Sequence, residues 1–417
     1  MRTAIALLLA LGLGATCAAC GGGQAPGEAV TIMIPWSPGT GEYRAFVTVM
    51  EKFEAQTGIQ VRPEVTRAVT QQLDADLSAG DPPDLVDLPS PGAVEQYQAQ
   101  DRLRPLTVNL SSYDQPWRDL GESGTGVVYA VPVKADVKSL IWYRAGRPAS
   151  PPASWQALEN LSGQGTPWCL GLASGSTSGW PGADWVADIL LSRQQAGDYE
   201  AWLAGQLPWT SAQVKDAWQA WGALMRYGAA VNGGVRGALT TAFDQAAGAM
   251  ATGRCELEHG ALSATGLTST AGYGYVVFPA GSGPAAPVMV SGDFMGLFTG
   301  NPDARKFLTY LASDQAQALW VRQADGHAFS ADQAVPPADY PPGPQQKIAA
   351  LLQPSAGTEL CFDAADMMVP DMSTAFEQAA LDYINDRGTL PALLAGLQKT
   401  QRGAGSSPGA KLACAQP

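Results

Sequence analysis

Histidine and basic residues are what this sequence has least of. Among 417 residues there are two histidines, and 25 Lys and Arg face 38 Asp and Glu, a formal net charge of −13. Nucleic-acid binding needs a basic surface that displaces condensed counterions. No run of Lys or Arg occurs, so nucleic acid is excluded as a partner. His259 and His327 lie far apart and Cys169, Cys255, Cys361 and Cys414 have no CxxC spacing, so no metal site is expected. HExxH is absent, and with it a common zinc-hydrolase signature. No cofactor motif and no solenoid repeat is present. Beyond the N-terminus no apolar run approaches the roughly 18 residues of a membrane-spanning helix.

What is present is a globular composition, with 46% hydrophobic and 15% charged residues. Such a chain buries enough apolar surface to offset its conformational entropy. At roughly 100–200 residues per domain, its length implies two lobes. Tryptophan is abundant, at 12 copies. Indoles serve sites that need both apolar area and a hydrogen-bond donor.

The N-terminus reads Met1, Arg2, an apolar stretch from Ala4 to Ala15, small residues around Cys17 and Cys20, then Gly21 to Gly23. A short basic start and an apolar core of about a dozen residues make a secretory signal, too short to span a bilayer as a mature helix. Ala18-Ala19-Cys20 resembles a bacterial lipobox, in which cleavage precedes a cysteine that receives lipid. The expectation is a signal peptide over 1–19, a linker over 20–28 with lipid on Cys20, and export to the outer face of the cytoplasmic membrane. The lipid is then the sole membrane contact. An ordinary cleaved signal with Cys20 unmodified is the alternative.

Export changes how the other cysteines read. Cys169, Cys255, Cys361 and Cys414 remain, an even number in an oxidising compartment. Four cysteines allow three pairings, and the sequence does not choose among them. Cys169 with Cys255 and Cys361 with Cys414 is favoured, because the first two sit in strand-like segments and the last would pin a loose tail.

Strand and helix alternate in the first part of the chain. Val30–Pro35 reads as a strand; Tyr43, Phe46, Val47, Met50 and Phe53 recur at helical spacing until Gly58; Ile59–Val65 is a second strand. Val69, Leu73 and Leu77 mark another helix, and Asp84–Leu88 a third strand. This pattern predicts a mainly parallel sheet with helices on its faces and ligands at the carboxyl ends of the strands. Two β-rich runs follow, Val127–Val133 and Ser139–Tyr143, and then a second alternating region. That region has a strand at Trp168–Leu172, helices near 183–193, 211–227 and 241–252, and a strand at Arg254–His259. From Pro302 the pattern is mostly helical.

Several ordered blocks carry a resemblance. They are Trp36–Phe46 (WSPGTGEYRAF) with Phe53–Val61, Gly80–Gly92 (GDPPDLVDLPSPG), Ala130–Arg144, Pro167–Leu191, Cys255–Gly260 with Gly292–Phe298, and Cys361–Met368. In this order the chain resembles the extracellular solute-binding proteins of ABC importers, specifically the carbohydrate-binding group and its α-glucoside-type receptors. The resemblance implies an α/β, periplasmic-binding-protein-like fold. Two lobes, each with a mainly parallel sheet flanked by helices, would hinge about a cleft that holds a sugar. The N-terminal lobe would comprise 29–133 and 293–325, the C-terminal lobe 134–292 and 326–402, and 403–417 a tail. The implied partners are a neutral di- or oligosaccharide and the importer's permease subunits, with the receptor a monomer and not an enzyme. The chain departs from the family pattern at Leu262–Thr265 and at Ala173, where relatives carry bulkier or polar groups.

Sugars present apolar C–H faces and a rim of hydroxyls, so a cleft needs aromatic plates and directed polar groups. Trp36 follows the first strand and is expected to meet ligand or to pack under the first helix; Glu42 accepts hydroxyls or serves the helix dipole. Asp87 and Ser90 follow the third strand at the same sheet edge. Ser174, Ser176, Trp180 and Asp184 belong to a polar strand-to-helix loop that faces ligand in the family; Asp184 alternatively caps its helix. Glu258, His259, Asp293 and Phe294 complete the set, with His259 alternatively a satisfied core histidine. Trp185, Trp202, Trp209, Trp218 and Trp221 read as core. A glycan-acting enzyme using Asp184 and Asp293 as paired carboxylates is a competing reading, as is a ligand-sensing lipoprotein.

Overall fold

Among the described residues ten strands occur: β1 (Val30–Ile34), β2 (Val61–Val65), β3 (Leu85–Leu88), β4 (Ala130–Val137), β5 (Leu140–Arg144), β6 (Leu257–His259), β7 (Tyr273–Val277), β8 (Val288–Leu297), β9 (Leu360–Phe362) and β10 (Cys414–Ala415). The computed structural model describes residues 29–122, 125–165, 168–194, 196–279, 287–404 and 413–415. The segments expected to form a signal peptide and a linker, with Cys20, lie outside the described residues.

β2, β1 and β3 are parallel neighbours, joined by the helices Gly41–Thr57 and Val69–Ala79. The first helix starts where the Thr40 side chain accepts from the Tyr43 N–H at 3.2 Å and stops at Gly58, whose φ is 74°. Its apolar stripe of Ala45, Phe46, Val49, Met50 and Phe53 is buried, as i, i+3, i+4 spacing dictates. β8 extends this sheet. β4 pairs antiparallel along one edge of β8, while β3 (opposite Phe294–Leu297) and β9 (opposite Val288–Val290) share the other. A single long strand thus links the β1–β3 unit to the segment that carries β9.

The smaller sheet, ordered β6-β5-β7, is antiparallel throughout. A mainly parallel sheet is therefore found on the β1–β3 side only, because β5 receives its two partners from long returning connections and not from βαβ crossovers. Trp168–Leu172 is not a strand: Trp168 makes isolated bridges to Val231 and Leu257. The helix expected near 241–252 is broken into Gly234–Thr240, a single turn at Phe243–Gln245 and Gly248–Ala251.

The tryptophans divide as their spacing predicts. Trp202, Trp209 and Trp218 are buried around Phe376, with ring centroids 5.0–5.8 Å away, and Trp221 lies against Tyr383. Trp185 is buried between Trp168 and His259. Cys169 is bonded to Cys255 and Cys361 to Cys414, closing separations of 86 and 53 residues. On the loop-entropy model each contributes about 4 kcal/mol as an upper figure. The second bridge spans directly opposed residues of β9 and β10.

Candidate functional site

β4 carries the centre of the site. Its sequence, AVPVKADV, is apolar except at Lys134 and Asp136, and Lys138 follows its end. Alternation with a period of two puts all three side chains on one face, and the strand is buried throughout. Each lysine gathers carboxylates. Lys134 Nζ lies 2.8 Å from Asp136, 2.9 Å from Glu42 and 3.6 Å from Asp293. Lys138 Nζ lies 3.1 Å from Asp366, 3.2 Å from Asp184 and 3.6 Å from Asp363. Glu42 comes from the first helix, Asp184 from the helix Trp180–Arg193, and Asp363 and Asp366 from the turn after β9. Burial works against both ammonium charges, and the surrounding carboxylates outweigh it, holding each lysine well above its ordinary pKa.

Burial also raises the acids, with neighbouring carboxylates adding to it and the lysines opposing. Asp293 is pushed up to about 6, Asp366 to about 7 and Glu377 to about 8. Asp184 is raised for the same reason. Six acids and three bases line the cavity, namely Glu42, Asp136, Asp184, Asp293, Asp366 and Glu377 against Arg67, Lys134 and Lys138.

The cavity itself measures about 260 Å³. One wall holds Trp36, Arg67 and Ser90; the other holds Ser176, Trp180, Phe243 and Ser263. The Trp180 ring meets Phe243 edge-on with centroids 5.0 Å apart, and Lys138 Nζ is 5.6 Å from the Trp180 centroid. Trp180 is delivered by Gly179, whose φ is 107° and where an added Cβ would come within 2.2 Å of the Glu377 carbonyl oxygen. Only glycine fits there, so the helix Trp180–Arg193 starts pressed against the helix Pro370–Asn385.

Of the twelve residues expected at the ligand, Trp36, Glu42, Ser90, Ser176, Trp180, Asp184 and Asp293 line this cavity, and Ser174 lines an adjoining one. Trp36 packs under the first helix, as one of its readings expected. It faces the cavity and is 3% exposed, packed against Phe46 and Trp320. Four expected contacts lie off the cavity walls and are corrected here. Phe294 is buried on the face of β8 opposite Asp293, the unavoidable result of strand alternation. His259 is a satisfied core histidine: its Nε2 is 2.8 Å from Asp188, and its ring lies tilted against Trp185, with centroids 4.3 Å apart. Asp188 also accepts from Ser139 Oγ at 2.7 Å. Glu258, on the same strand, is buried and raised in pKa by desolvation. Asp87 is buried beneath the floor; burial, Asp293 and Glu42 raise its pKa while Lys134 opposes them.

The sequence reading missed Asp136, Arg67, Phe243, Asp366 and Glu377 as cavity residues. Asp136 and the lysines had a legible signal, three charges at period two in an apolar strand. Arg67 follows β2 as Trp36 follows β1, so the strand-end rule already covered it. Phe243, Asp366 and Glu377 are brought in by distant elements and carry no local signal. Among the described residues no cluster of His, Cys, Asp or Glu is arranged to hold a metal ion, and no helix is long and apolar enough to cross a membrane.

The fold, with its crossing strand and cleft, is that of the two-lobed solute receptors. A chitin oligosaccharide binding protein superposes with a TM-score of 0.76 at 19% identity, covering 91% of this chain and 99% of that one. The bacterial solute receptor AcbH gives a TM-score of 0.73 at 20% identity, over 92% and 98% of the two chains. The family model described as bacterial extracellular solute-binding protein matches residues 37–318, and the chain belongs to that family. It is 30% identical over 410 residues to the alpha-glucosides-binding periplasmic protein AglE of Rhizobium meliloti, covering 89% of this chain and 87% of the relative. It is 31% identical to the osmoprotective compounds-binding protein GgtB of Synechocystis sp., covering 80% and 83%.

Proposed function

We propose that this protein is the receptor of an ABC importer and captures a neutral di- or oligosaccharide in the cavity between its lobes. The observation that carries this reading is the arrangement around Trp180. An aromatic face stands beside carboxylates fixed by two buried lysines, so apolar C–H surface and directed hydroxyl acceptors occur together. The carbohydrate specificities named for AglE and for the chitin oligosaccharide receptor support the same class. Asp184 and Asp293 are explained as hydroxyl acceptors, each held by its lysine.

We place the N-terminal lobe at 29–133 with 293–325 and the C-terminal lobe at 134–292 with 326–402. The register shift of β4 between Pro132 and Lys134, opposite Asp293, supports a crossing there. Closing the lobes on a sugar would present the loaded receptor to the permease. A melting screen over mono-, di- and oligosaccharides, polyols, amino acids and short peptides tests the class. A ligand at a hundredfold excess over Kd adds roughly 2.7 kcal/mol of stability. A rise with one or a few neutral sugars and none with amino acids or peptides is expected; a rise with peptides alone overturns the reading.

The anchored form rests on Ala18-Ala19-Cys20 ahead of a glycine-rich tether. Cys20→Ala is expected to move the protein from the membrane to the soluble fraction, and unchanged fractionation rules the anchor out.

A further inference from the structure

The turn that follows β9 gives the cavity wall Ala365, Asp366 and Met368. Its position is set at the edge of the large sheet, where β9 lies between β8 and β10. Lys138 and this turn hang from neighbouring residues of β8. The Lys138 N–H donates to the Met289 carbonyl at 2.8 Å, and the Asp363 N–H donates to the Val290 carbonyl at 2.8 Å. Asp363 then caps the helical turn Ala364–Met367, its carboxylate accepting from the Asp366 N–H at 3.1 Å. Where β9 sits against β8 therefore fixes where Asp363 and Asp366 meet the Lys138 ammonium.

β10 holds β9 from the outside. The Phe362 N–H donates to the Ala413 carbonyl at 2.6 Å, and Cys414 stands opposite Cys361 and is bonded to it. Cys361, Phe362 and Ala413 are fully buried. The helix Ala196–Leu203 completes the clamp: its Glu200 carboxylate accepts from the Cys414 N–H at 3.3 Å, and its Tyr199 hydroxyl donates to the Phe362 carbonyl at 3.0 Å. Pairing with β8 alone would leave β9 a short parallel edge strand. Parallel ladders are the slightly weaker kind, and segments with few partners open locally at low cost.

We propose that β10 and the Cys361–Cys414 bond form a strap that positions Asp363 and Asp366 about Lys138, so that ligand affinity depends on this bond although no atom of it lines the cavity. The dependence on affinity rests on the reading of that cavity as the ligand site. Cys361, Cys414 and Glu200 are on this account positioning residues, acting through β9 and the turn after it.

Amide hydrogen exchange of ligand-free protein over residues 363–368, with calorimetric titration of maltose, trehalose, sucrose and chitobiose, tests the strap. Cys361→Ala/Cys414→Ala is compared with Cys169→Ala/Cys255→Ala, which opens the longer of the two loops and loses at least as much stability on the loop-entropy model. Exchange in the turn is expected to rise about tenfold in the first variant and to stay within about twofold of wild type in the second. Affinity for whichever sugar binds wild type should fall about fivefold in the first and stay within about twofold in the second. Glu200→Ala, which keeps both disulfides, should raise exchange in the turn about threefold, and Glu200→Gln, whose amide oxygen still accepts, should restore it. This pair decides the matter if the cysteine variant folds poorly. Equal changes in the two cysteine variants would reduce the bond to general stabilisation and overturn the strap, as would unchanged exchange in the turn or a loosened turn with unaltered sugar affinity. If none of the four sugars binds wild-type protein, the carbohydrate reading loses its support, while the exchange comparison still decides the strap.

Discussion

Trp180→Ala is expected to cost at least about 2 kcal/mol of ligand binding, roughly a thirtyfold loss of affinity, while the ligand-free melting point changes little. The indole is half-buried and lines the cavity. Its partners are one face of Phe243 and the Lys138 ammonium, with no place in the aromatic cluster around Phe376. Removing it therefore deletes a platform for a sugar face and leaves the core intact. Melting curves with and without the best ligand of the screen measure both quantities. A ligand-free loss of several kcal/mol would mark the residue as core, and the site would have to be redrawn around Phe243 and Trp36.

Lys138→Met should produce the largest stability loss of any single substitution in the cleft, about 3–5 kcal/mol, because it strands buried carboxylates that the ammonium compensates. Asp184 and Asp363 are almost wholly buried, and each has one carboxylate oxygen without a hydrogen-bond partner. The loss should depend on pH. Asp293, Asp366 and Glu377 have folded-state values of about 6, 7 and 8, above those of an unfolded chain. Between about pH 4 and 8 the native state consequently holds more protons than the unfolded state, and stability falls as pH rises. His327, lowered to about 4, acts in the opposite sense between that value and its unfolded pKa near 6.5, and is outnumbered. Wild-type stability should accordingly decline from pH 6 to pH 8. The Lys138→Met deficit should be greatest at pH 8 and shrink toward pH 5 as the stranded acids take up protons. Denaturant unfolding across this range decides it. A deficit that does not vary with pH would mean that the lysine contributes packing and not charge.

Much of the molecule was legible because its determinants are local. The Gly58 stop, the helical spacing from Tyr43 to Phe53 and the strand-end positions of Trp36 and Ser90 each follow from a few adjacent residues. The ordered blocks from Trp36 to Met368 carry the family, and the match over residues 37–318 agrees with them. Local pattern was misleading for Phe294 and His259. Each belongs to a segment that ends near the cleft, yet the sequence does not say which face of the strand looks into it. Asp293 and Phe294 are neighbours in the chain and lie on opposite faces of β8.

By itself, then, the sequence determined the class: an acidic, two-lobed α/β chain, few in histidines, with aromatic and acidic residues at strand ends. Only the tertiary structure decided which charges meet. Glu42, Asp136 and Asp293 converge on Lys134, and Asp184, Asp363 and Asp366 on Lys138, from segments as far apart as the first helix and the turn after β9. The pairing of four cysteines and the placing of Arg67 against Phe243 were likewise decided there. The physical reason is that an ion pair, a disulfide or a cavity wall is a relation between residues distant in sequence. Propensity and periodicity act within a turn or a strand, whereas such relations exist only once the core has brought the segments together.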